Sequence, residues 1–209
     1  YSREDGGAIL IDSRSGGKAS VILLRSMVRD CEALKNGGGV AVLGEHGTLS
    51  LKDGVLFELN KAVNKCRNCG NGGAIYASNG ARVHAIANFE GEWGGTAINV
   101  NGRGNHARAG GGFVSIKSGS EFVVNGKGAV LQLWENSANG YGGAIDAMGG
   151  SSIRIVNGAS VYIMGGDIAG LHSSVTMNDL HSRIMGGGVH AKGQGTSIDI
   201  AGPGTRLNI

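Results

Sequence analysis

The sequence predicts an all-β solenoid, a parallel β-helix in which one short unit is stacked on copies of itself. Three observations support this: a recurring Gly-Gly-Ala-Ile unit, short alternating strands, and glycine-rich punctuation between them. The clearest copies of the unit are Gly6-Gly7-Ala8-Ile9, Gly72-Gly73-Ala74-Ile75 and Gly142-Gly143-Ala144-Ile145. Looser copies begin at Gly38, Gly94, Gly111 and Gly187. Such a unit cannot bury its apolar face alone, so it must lie against neighbouring copies.

Composition narrows the class of protein. Of 209 residues, 41 are glycine and one is proline, without the period of three that collagen requires. The 41% hydrophobic and 17% charged content favours a folded chain over disorder. The net charge of +3 is mild and scattered, which argues against nucleic acid or an anionic membrane as partner. An apolar run of about 18 residues, which a membrane-spanning helix needs, is absent from the sequence.

The individual strands are short and alternate apolar with polar residues. The clearest are 82–86, 121–124 and 152–156, each bounded by Asn-Gly, Gly-Gly or Ser-Gly. The segments Val124-Asn125-Gly126 and Val156-Asn157-Gly158 are predicted to form the same corner in two copies. A sandwich of β-hairpins has similar strands and turns. The regular recurrence of one unit favours the solenoid instead.

The spacing of the Gly-Gly units predicts the length of one coil. Gly72 and Gly94 are 22 residues apart, and the next two intervals, to Gly142 and to Gly187, are 48 and 45. We therefore expect coils of roughly 22–24 residues, with surface loops of variable length accounting for the intervals that do not divide evenly. Stacked coils lie about 4.8 Å apart, and glycine at a fixed corner allows a positive φ in every coil.

The segment 21–36 has two interpretations. Leu24, Val28, Cys31 and Leu34 could share one face of a helix that ends at Asn36-Gly37. In the alignment of the copies, the same segment falls where other copies have a strand and then a loop. We favour a strand over residues 19–24.

The three cysteines, Cys31, Cys66 and Cys69, favour a structural role. Cys66 and Cys69 form one Cys-x-x-Cys, which could be a small disulfide, half of a metal site, or two thiols in neighbouring turns. A zinc site needs a second pair of cysteine or histidine ligands at suitable spacing, and none follows. We expect a disulfide or buried thiols, with no metal and no cofactor.

The sequence gives little support for catalysis. Asp12 and Asp146 both follow a Gly-Gly-Ala-Ile strand, but at different offsets, and we expect them to be solvated carboxylates at strand edges. His172 and His181 flank one irregular loop without a metal-ligand spacing. Calcium-binding nonapeptides, a nucleophile elbow and a phosphate-binding loop are also missing from the sequence. A non-enzymatic protein is therefore predicted.

Aromatic residues are few, so their placement carries weight. Trp93 and Trp134 each lie next to a glutamate and close to a Gly-Gly unit. Tyr76 and Tyr141 also lie close to a Gly-Gly unit, but they have no neighbouring glutamate. Packing in the core or at a corner is one role for these rings, and contact with a partner is the other. For a contact role, Trp93 and Trp134 are the candidates.

The Gly-Gly-Ala-Ile units, taken together with Phe-x-x-Asn, resemble the repeats of the polymorphic outer-membrane protein family, and more loosely autotransporter passenger domains. The Phe-x-x-Asn copies are Phe57-Glu58-Leu59-Asn60 and Phe122-Val123-Val124-Asn125. The segment 134–145 looks most like a full repeat junction, with Trp134 where the family would have phenylalanine. The resemblance implies a right-handed parallel β-helix displayed outside the cell or on its surface, with adhesive or structural work.

The function expected from this resemblance is that of a rigid rod that presents loops to a protein or glycan at a cell surface. Residues 1–209 form a single β-helix domain in this interpretation, either a segment of a longer chain or a subunit that stacks on copies of itself. Neither end looks like a polar cap, and exposed strand edges invite pairing. The alternatives are a filament or sheath subunit and a polysaccharide-active β-helix enzyme.

Overall fold

The computed structural model describes residues 1–63, 69–87, 98–164, 175–178 and 188–209. Every regular element in these residues is a β-strand, and every strand pairing is parallel. This confirms the predicted all-β class and the parallel stacking. In chain order the strands are β1 (Ile9–Asp12), β2 (Ala19–Leu23), β3 (Met27–Arg29), β4 (Glu32–Ala33), β5 (Val40–Leu43), β6 (Gly47–Leu51), β7 (Val55–Glu58), β8 (Lys61–Ala62), β9 (Ile75–Ser78), β10 (Arg82–Ile86), β11 (Ile98–Arg103), β12 (His106–Ala107), β13 (Val114–Lys117), β14 (Glu121–Asn125), β15 (Ala129–Trp134), β16 (Ser137–Ala138), β17 (Ile145–Met148), β18 (Ser152–Val156), β19 (Ser160–Met164), β20 (Val175–Asn178), β21 (Val189–Lys192), β22 (Ser197–Ala201) and β23 (Arg206–Asn208).

The strands form four sheets that the chain visits in a fixed order. Sheet 1 is β1-β5-β9-β13-β17-β21-β20, and sheet 2 is β2-β6-β10-β14-β18-β22. Sheet 3 is β3-β7-β11-β15-β19-β23, and sheet 4 is β4-β8-β12-β16. From β1 to β16 the chain passes through sheets 1, 2, 3 and 4 and then returns to sheet 1. We call each such circuit a coil, and the stack of coils is the solenoid-like arrangement that the repeats predict.

The predicted coil length of 22–24 residues is wrong. Ser115 and Asp146, which are register neighbours on sheet 1, are 31 residues apart, and Asp146 and His190 are 44 apart. The error came from the interval of 22 residues that follows Gly72, because the strands that flank residues 87–97, β10 and β11, belong to one coil. Longer coils carry extra residues between strands, while the strand register is kept.

The interior is filled by alternate residues of each strand. On sheet 1 the register neighbours Ile75, Val114 and Ile145 are all buried and belong to one continuous apolar core. On sheet 3, Gly102 interrupts a column of large side chains, and the ring of Phe113 occupies the space that a side chain at Gly102 would fill. Phe113 meets Phe57 edge to face, with ring centroids 5.7 Å apart.

The Gly-Gly units form the corner between sheet 4 and sheet 1. The first glycine has a positive φ in the clearest copies, 70° at Gly6, 65° at Gly72 and 52° at Gly142, as the predicted corner requires. The looser copy that was predicted to begin at Gly38 begins one residue earlier, at Gly37, whose φ is 64°. Gly38 is the second glycine, because its N–H donates to the Gly72 carbonyl oxygen of the next coil at 3.0 Å.

The second glycine of each unit is required for a different reason. A Cβ atom at Gly7 would overlap the carbonyl oxygen of Gly38, and the same relation holds between Gly38 and Gly73, Gly73 and Gly112, and Gly112 and Gly143. We call this column the glycine ladder. Each coil therefore lies so close to the next that a methyl group does not fit between the two backbones.

Two local predictions compare directly with the structure. Residues 19–23 form β2, so the strand interpretation is correct for that part of the segment and the helix is not. The two Asn-Gly corners lie between sheets 2 and 3, but Asn125 pairs with Val156 and is one residue out of step with Asn157. Positive φ angles occur at Gly126 and Gly128 in the first corner and at Asn157 and Gly158 in the second.

Replacing Gly73 with alanine tests the glycine ladder. The added methyl group would overlap the Gly112 carbonyl oxygen and the backbone of His106, so we expect a loss of about 3 kcal/mol in the free energy of unfolding. Gly119→Ala should lower the free energy of unfolding by about 1 kcal/mol, because an alanine is strained at a φ of 75°. No atom of the described residues lies close enough to Gly119 to add a steric overlap. Gly17→Ala, with neither constraint, is the control. Equal losses in denaturant titrations of the three variants would contradict the ladder.

Candidate functional site

Buried asparagines form a continuous ladder at the corner between sheets 3 and 4. Nδ2 of Asn60 donates to Oδ1 of Asn105 at 2.9 Å, and Nδ2 of Asn105 donates to Oδ1 of Asn136 at 2.8 Å. The same oxygens accept the backbone N–H groups of Asn60 and Asn105 at 3.0 and 3.1 Å. All three residues are at most 1% exposed. We call this column the asparagine ladder; it satisfies backbone groups that the corner turns away from the sheets.

The residue before each position of the asparagine ladder has a left-handed backbone. The φ angles are 56° at Leu59, 61° at Gly104 and 55° at Glu135, and Asp30, at 53°, precedes Cys31 in the first coil. Non-glycine residues in this region are strained. The asparagine contacts that follow hold the strained corner in place. Cys31 takes the asparagine position of the first coil as a free, partly exposed thiol.

Only one of the two predicted Phe-x-x-Asn copies belongs to this corner. Phe57 lies in β7 of sheet 3 and leads to Asn60, whereas Phe122 lies in β14 of sheet 2 and leads to Asn125, so the two copies are not equivalent. The prediction that Trp134 takes the phenylalanine position of the repeat in the segment 134–145 is also wrong. Leu133 shares the register of Phe57 through Gly102. Sequence spacing alone could not separate the sheets.

A polar cluster lies on the outward side of sheet 1, under the loops that lead from sheet 4. Its members are register neighbours, Tyr76, Ser115, Asp146 and His190. Asp146 accepts from Ser115 Oγ at 3.0 Å and contacts Nδ1 of His190 at 2.7 Å. The ring of Tyr141 stacks on His190, with centroids 4.9 Å apart. Ser115, Asp146 and His190 are at most 1% exposed, so they are shielded from bulk solvent.

The expectation that Asp146 is a solvated carboxylate is wrong. Its burial depends on Gly110 in the covering loop, where a Cβ atom would lie 2.6 Å from Oδ2 of Asp146. The glycine lets the loop close over the carboxylate. Asp12, at a different strand position, is the solvated carboxylate that was expected. Its hydrogen bonds from Arg14 lower the pKa of Asp12 to about 2.

Asn71 and Lys117 join the loop to the edge of this cluster. Nζ of Lys117 donates to Oδ1 of Asn71 at 2.8 Å. Nδ2 of Asn71 donates to Oδ1 of Asn36 at 2.9 Å. Burial lowers the pKa of Lys117, and the negative charge of Asp146 opposes that effect. Burial also raises the pKa of Tyr76.

Trp134 lines an open cleft on the outside of sheet 3. Its register neighbours are Arg103 and Met164, and with Glu135 they enclose about 390 Å³. Nε of Arg103 lies 3.4 Å from Oε2 of Glu135 at one side of the cleft. The cleft therefore combines an aromatic ring, an apolar side chain and an ion pair. This arrangement suits a ligand with both apolar and hydroxyl groups.

Several predicted residues lie outside the described residues. They are Cys66, Trp93, Gly94, His172, His181 and Gly187. Cys69 is disulfide-bonded, and the pairing with Cys66 stays a prediction. The described residues contain no cluster of three or more potential metal ligands. They also contain no helix of the length and hydropathy that crossing a membrane requires.

Comparisons with known proteins give no relative. The chain matches no family model, no curated protein and no solved structure.

Asn105→Ala tests the asparagine ladder. The change leaves the backbone N–H and the side-chain amide of Asn60 without their acceptor, so we expect a loss of about 3 kcal/mol in the free energy of unfolding. Asn125→Ala is the matched control, because its hydrogen bond with Asn157 is exposed, and it should cost less than about 1 kcal/mol. Chemical denaturation measures both. A small loss for Asn105→Ala would mean that water replaces the amide.

Asp146→Ala tests whether the polar cluster is closed to water. Two buried partners, Ser115 and His190, lose their acceptor, and we expect a loss of about 3 kcal/mol in thermal or denaturant unfolding. Ser115→Ala removes one hydrogen bond and should cost about 1 kcal/mol. If the two variants are equally stable, the carboxylate is hydrated and the cluster is open.

Proposed function

We propose that this chain is a right-handed parallel β-helix that works outside the cell as a non-enzymatic scaffold with an adhesive or structural role. Right-handed connection is the general rule for parallel strands in one sheet. The extracellular location and the kinship with polymorphic outer-membrane and autotransporter passenger repeats rest on the Gly-Gly-Ala-Ile units. The partner is a protein or a glycan at a cell surface, contacted by loops and by the Trp134 cleft.

The observation that carries this proposal is that corner contacts persist while coil length changes. Asn105 and Asn136 are 31 residues apart, whereas Asn60 and Asn105 are 45 apart, yet both pairs make the same amide contact. Insertions are therefore absorbed between strands without disturbing the stack. A scaffold whose loops vary on a constant frame is suited to displaying contact surfaces.

The polysaccharide-active alternative gains no support from Asp146. An acid or base that acts on a sugar must reach the glycosidic oxygen or a water molecule. Asp146 is fully buried and already engaged by Ser115 and His190. Although serine, aspartate and histidine occur together, the aspartate stands between the other two. A nucleophilic triad needs the histidine in that position.

A filament or sheath subunit is the second candidate function. Coil 1 exposes apolar side chains at outward positions, with Leu10 49%, Ile22 64% and Met27 60% exposed. These side chains belong to sheets 1, 2 and 3, so the exposed apolar surface is spread around the first coil. End-to-end stacking of copies would cover β1, β2 and β3 by continuing the parallel pairing.

Electron microscopy and sedimentation across a range of concentrations separate the two candidates. We expect short single rods whose size does not change with concentration, because the scaffold function needs no self-association. Long uniform fibres that grow with concentration would contradict this and support the filament subunit. Ile22→Asp should weaken any fibre whose contact includes the outward side chains of the first coil, since burying a charge in an apolar contact is costly.

Partner binding by the cleft is tested with Trp134→Ala. Glycan arrays and binding to cell surfaces identify a ligand for the unmodified chain, and the variant should lose affinity by about 30-fold, as buried tryptophans at contact centres do. Ile200→Ala, which removes an exposed apolar side chain from sheet 2, is the control and should bind normally. Normal binding by Trp134→Ala would exclude the cleft as the contact site.

A further inference from the structure

The contact between Lys117 and Asn71 brings an amine against a carboxamide in a closed environment. Nζ of Lys117 is 2.8 Å from Oδ1 of Asn71, so the amide carbon Cγ lies within about 4 Å of the amine, given a C=O bond of about 1.2 Å. Asn71 is 1% exposed and Lys117 is partly buried. The two residues are 46 positions apart, in neighbouring coils. Nothing in the proposed scaffold function requires this pair to be reactive.

The carboxamide of Asn71 is held in place from two sides. Its Nδ2 donates to Oδ1 of Asn36 at 2.9 Å, and its backbone N–H donates to the same oxygen at 3.1 Å. Asn36 is in turn fixed by Asp5, whose Oδ1 accepts from Asn36 Nδ2 at 2.9 Å. A fixed electrophile beside a tethered nucleophile has the proximity that accelerates intramolecular reactions by many orders of magnitude.

We propose that Lys117 and Asn71 join in an isopeptide bond, formed by the folded chain itself, which locks the loop before β9 onto β13. The lone pair of Lys117 Nζ forms a bond to Cγ of Asn71, and the C=O π pair moves to Oδ1. That pair returns as the Cγ–Nδ2 bond breaks, and Nδ2 takes a proton from Nζ and leaves as ammonia. One amine and one primary amide thus become one secondary amide and ammonia, without oxidant or co-reactant.

The surroundings favour the nucleophilic form of the amine. Burial lowers the pKa of Lys117, so a larger share of the side chain is neutral than in an exposed lysine. A neutral amine is the form that attacks a carbonyl carbon. The Asp146 carboxylate, on the same outward side of sheet 1, is the negative charge that acts on Lys117 there. It stabilises the positive charge that develops on Nζ during attack.

The isopeptide bond would hold in place the loops that lie over the polar cluster. Asn71 leads into the Gly-Gly corner of the third coil, and Gly72 donates to the Gly110 carbonyl oxygen of the loop that lies against Asp146. Lys117 is the last residue of β13, the strand that also contains Ser115. A covalent link here resists separation of the two coils by force or heat, as a disulfide would, but survives reduction.

Intact mass spectrometry of the purified, reduced chain is the decisive measurement. The bond releases ammonia, so we expect a mass about 17 Da below that of the sequence. Peptide mapping should give one branched peptide that contains both Asn71 and Lys117. A mass equal to that of the sequence would overturn the proposal.

A second reaction gives the same mass loss and must be distinguished from formation of the isopeptide bond. Asn71 precedes Gly72, and cyclisation of an Asn-Gly pair to a succinimide also releases ammonia. Lys117→Met abolishes the loss if the isopeptide forms and leaves it unchanged if the succinimide forms, which would overturn the proposal. Lys192→Met is the matched control, because Lys192 has the same position on β21, and it should retain the loss.

Thermal unfolding gives a readout that does not depend on the mass. The linked chain should melt at a higher temperature than Lys117→Met and migrate faster in denaturing electrophoresis, since the crosslink keeps the denatured chain compact. These results are independent of partner binding at Trp134, so the scaffold function can fail while the crosslink stands, and the reverse. Equal migration of the two chains would contradict the crosslink.

Discussion

Close approach of successive backbones at the corner between sheets 4 and 1 is the constraint on which the stack depends. A side chain at Gly73 would occupy the place of the Gly112 carbonyl oxygen, and the same holds from Gly7 onward through the glycine ladder. Parallel strands can pair over the full length of sheet 1 only if their preceding corners are superimposed. The glycines therefore fix the register of the apolar columns, and the core follows from that register.

The corner between sheets 3 and 4 satisfies its buried backbone groups with side chains. Left-handed residues such as Leu59 and Glu135 turn the chain, and the turn leaves backbone groups without partners inside the protein. Asn60, Asn105 and Asn136 supply donors and acceptors to those groups and to one another. Glycine is required where successive backbones are in contact. Asparagine supplies the hydrogen bonds that a buried turn needs. The two ladders together leave the sequence between strands free to vary.

The outward side of sheet 1 carries a polar cluster that the Gly-Gly-Ala-Ile repeat does not encode. Tyr76, Ser115, Asp146 and His190 occupy equivalent positions in four coils, but no two are alike. Gly110 lets a loop cover them, and burial then turns ordinary surface residues into a closed network. Burial of this kind makes each partner important for stability, because a polar group left without its hydrogen bond is costly in a low-dielectric environment.

The all-β class, the parallel stacking, the Gly-Gly corners and strands such as 82–86 can be predicted from the sequence, because they depend on local pattern and backbone freedom. The coil length, the inequivalence of Phe57 and Phe122, and the burial of Asp146 depend on how the coils stack and cannot be predicted from local sequence pattern. The hydrogen-bond partners in the asparagine ladder and in the polar cluster lie 31 to 45 positions apart in the sequence. Insertions change that distance without leaving a local signal.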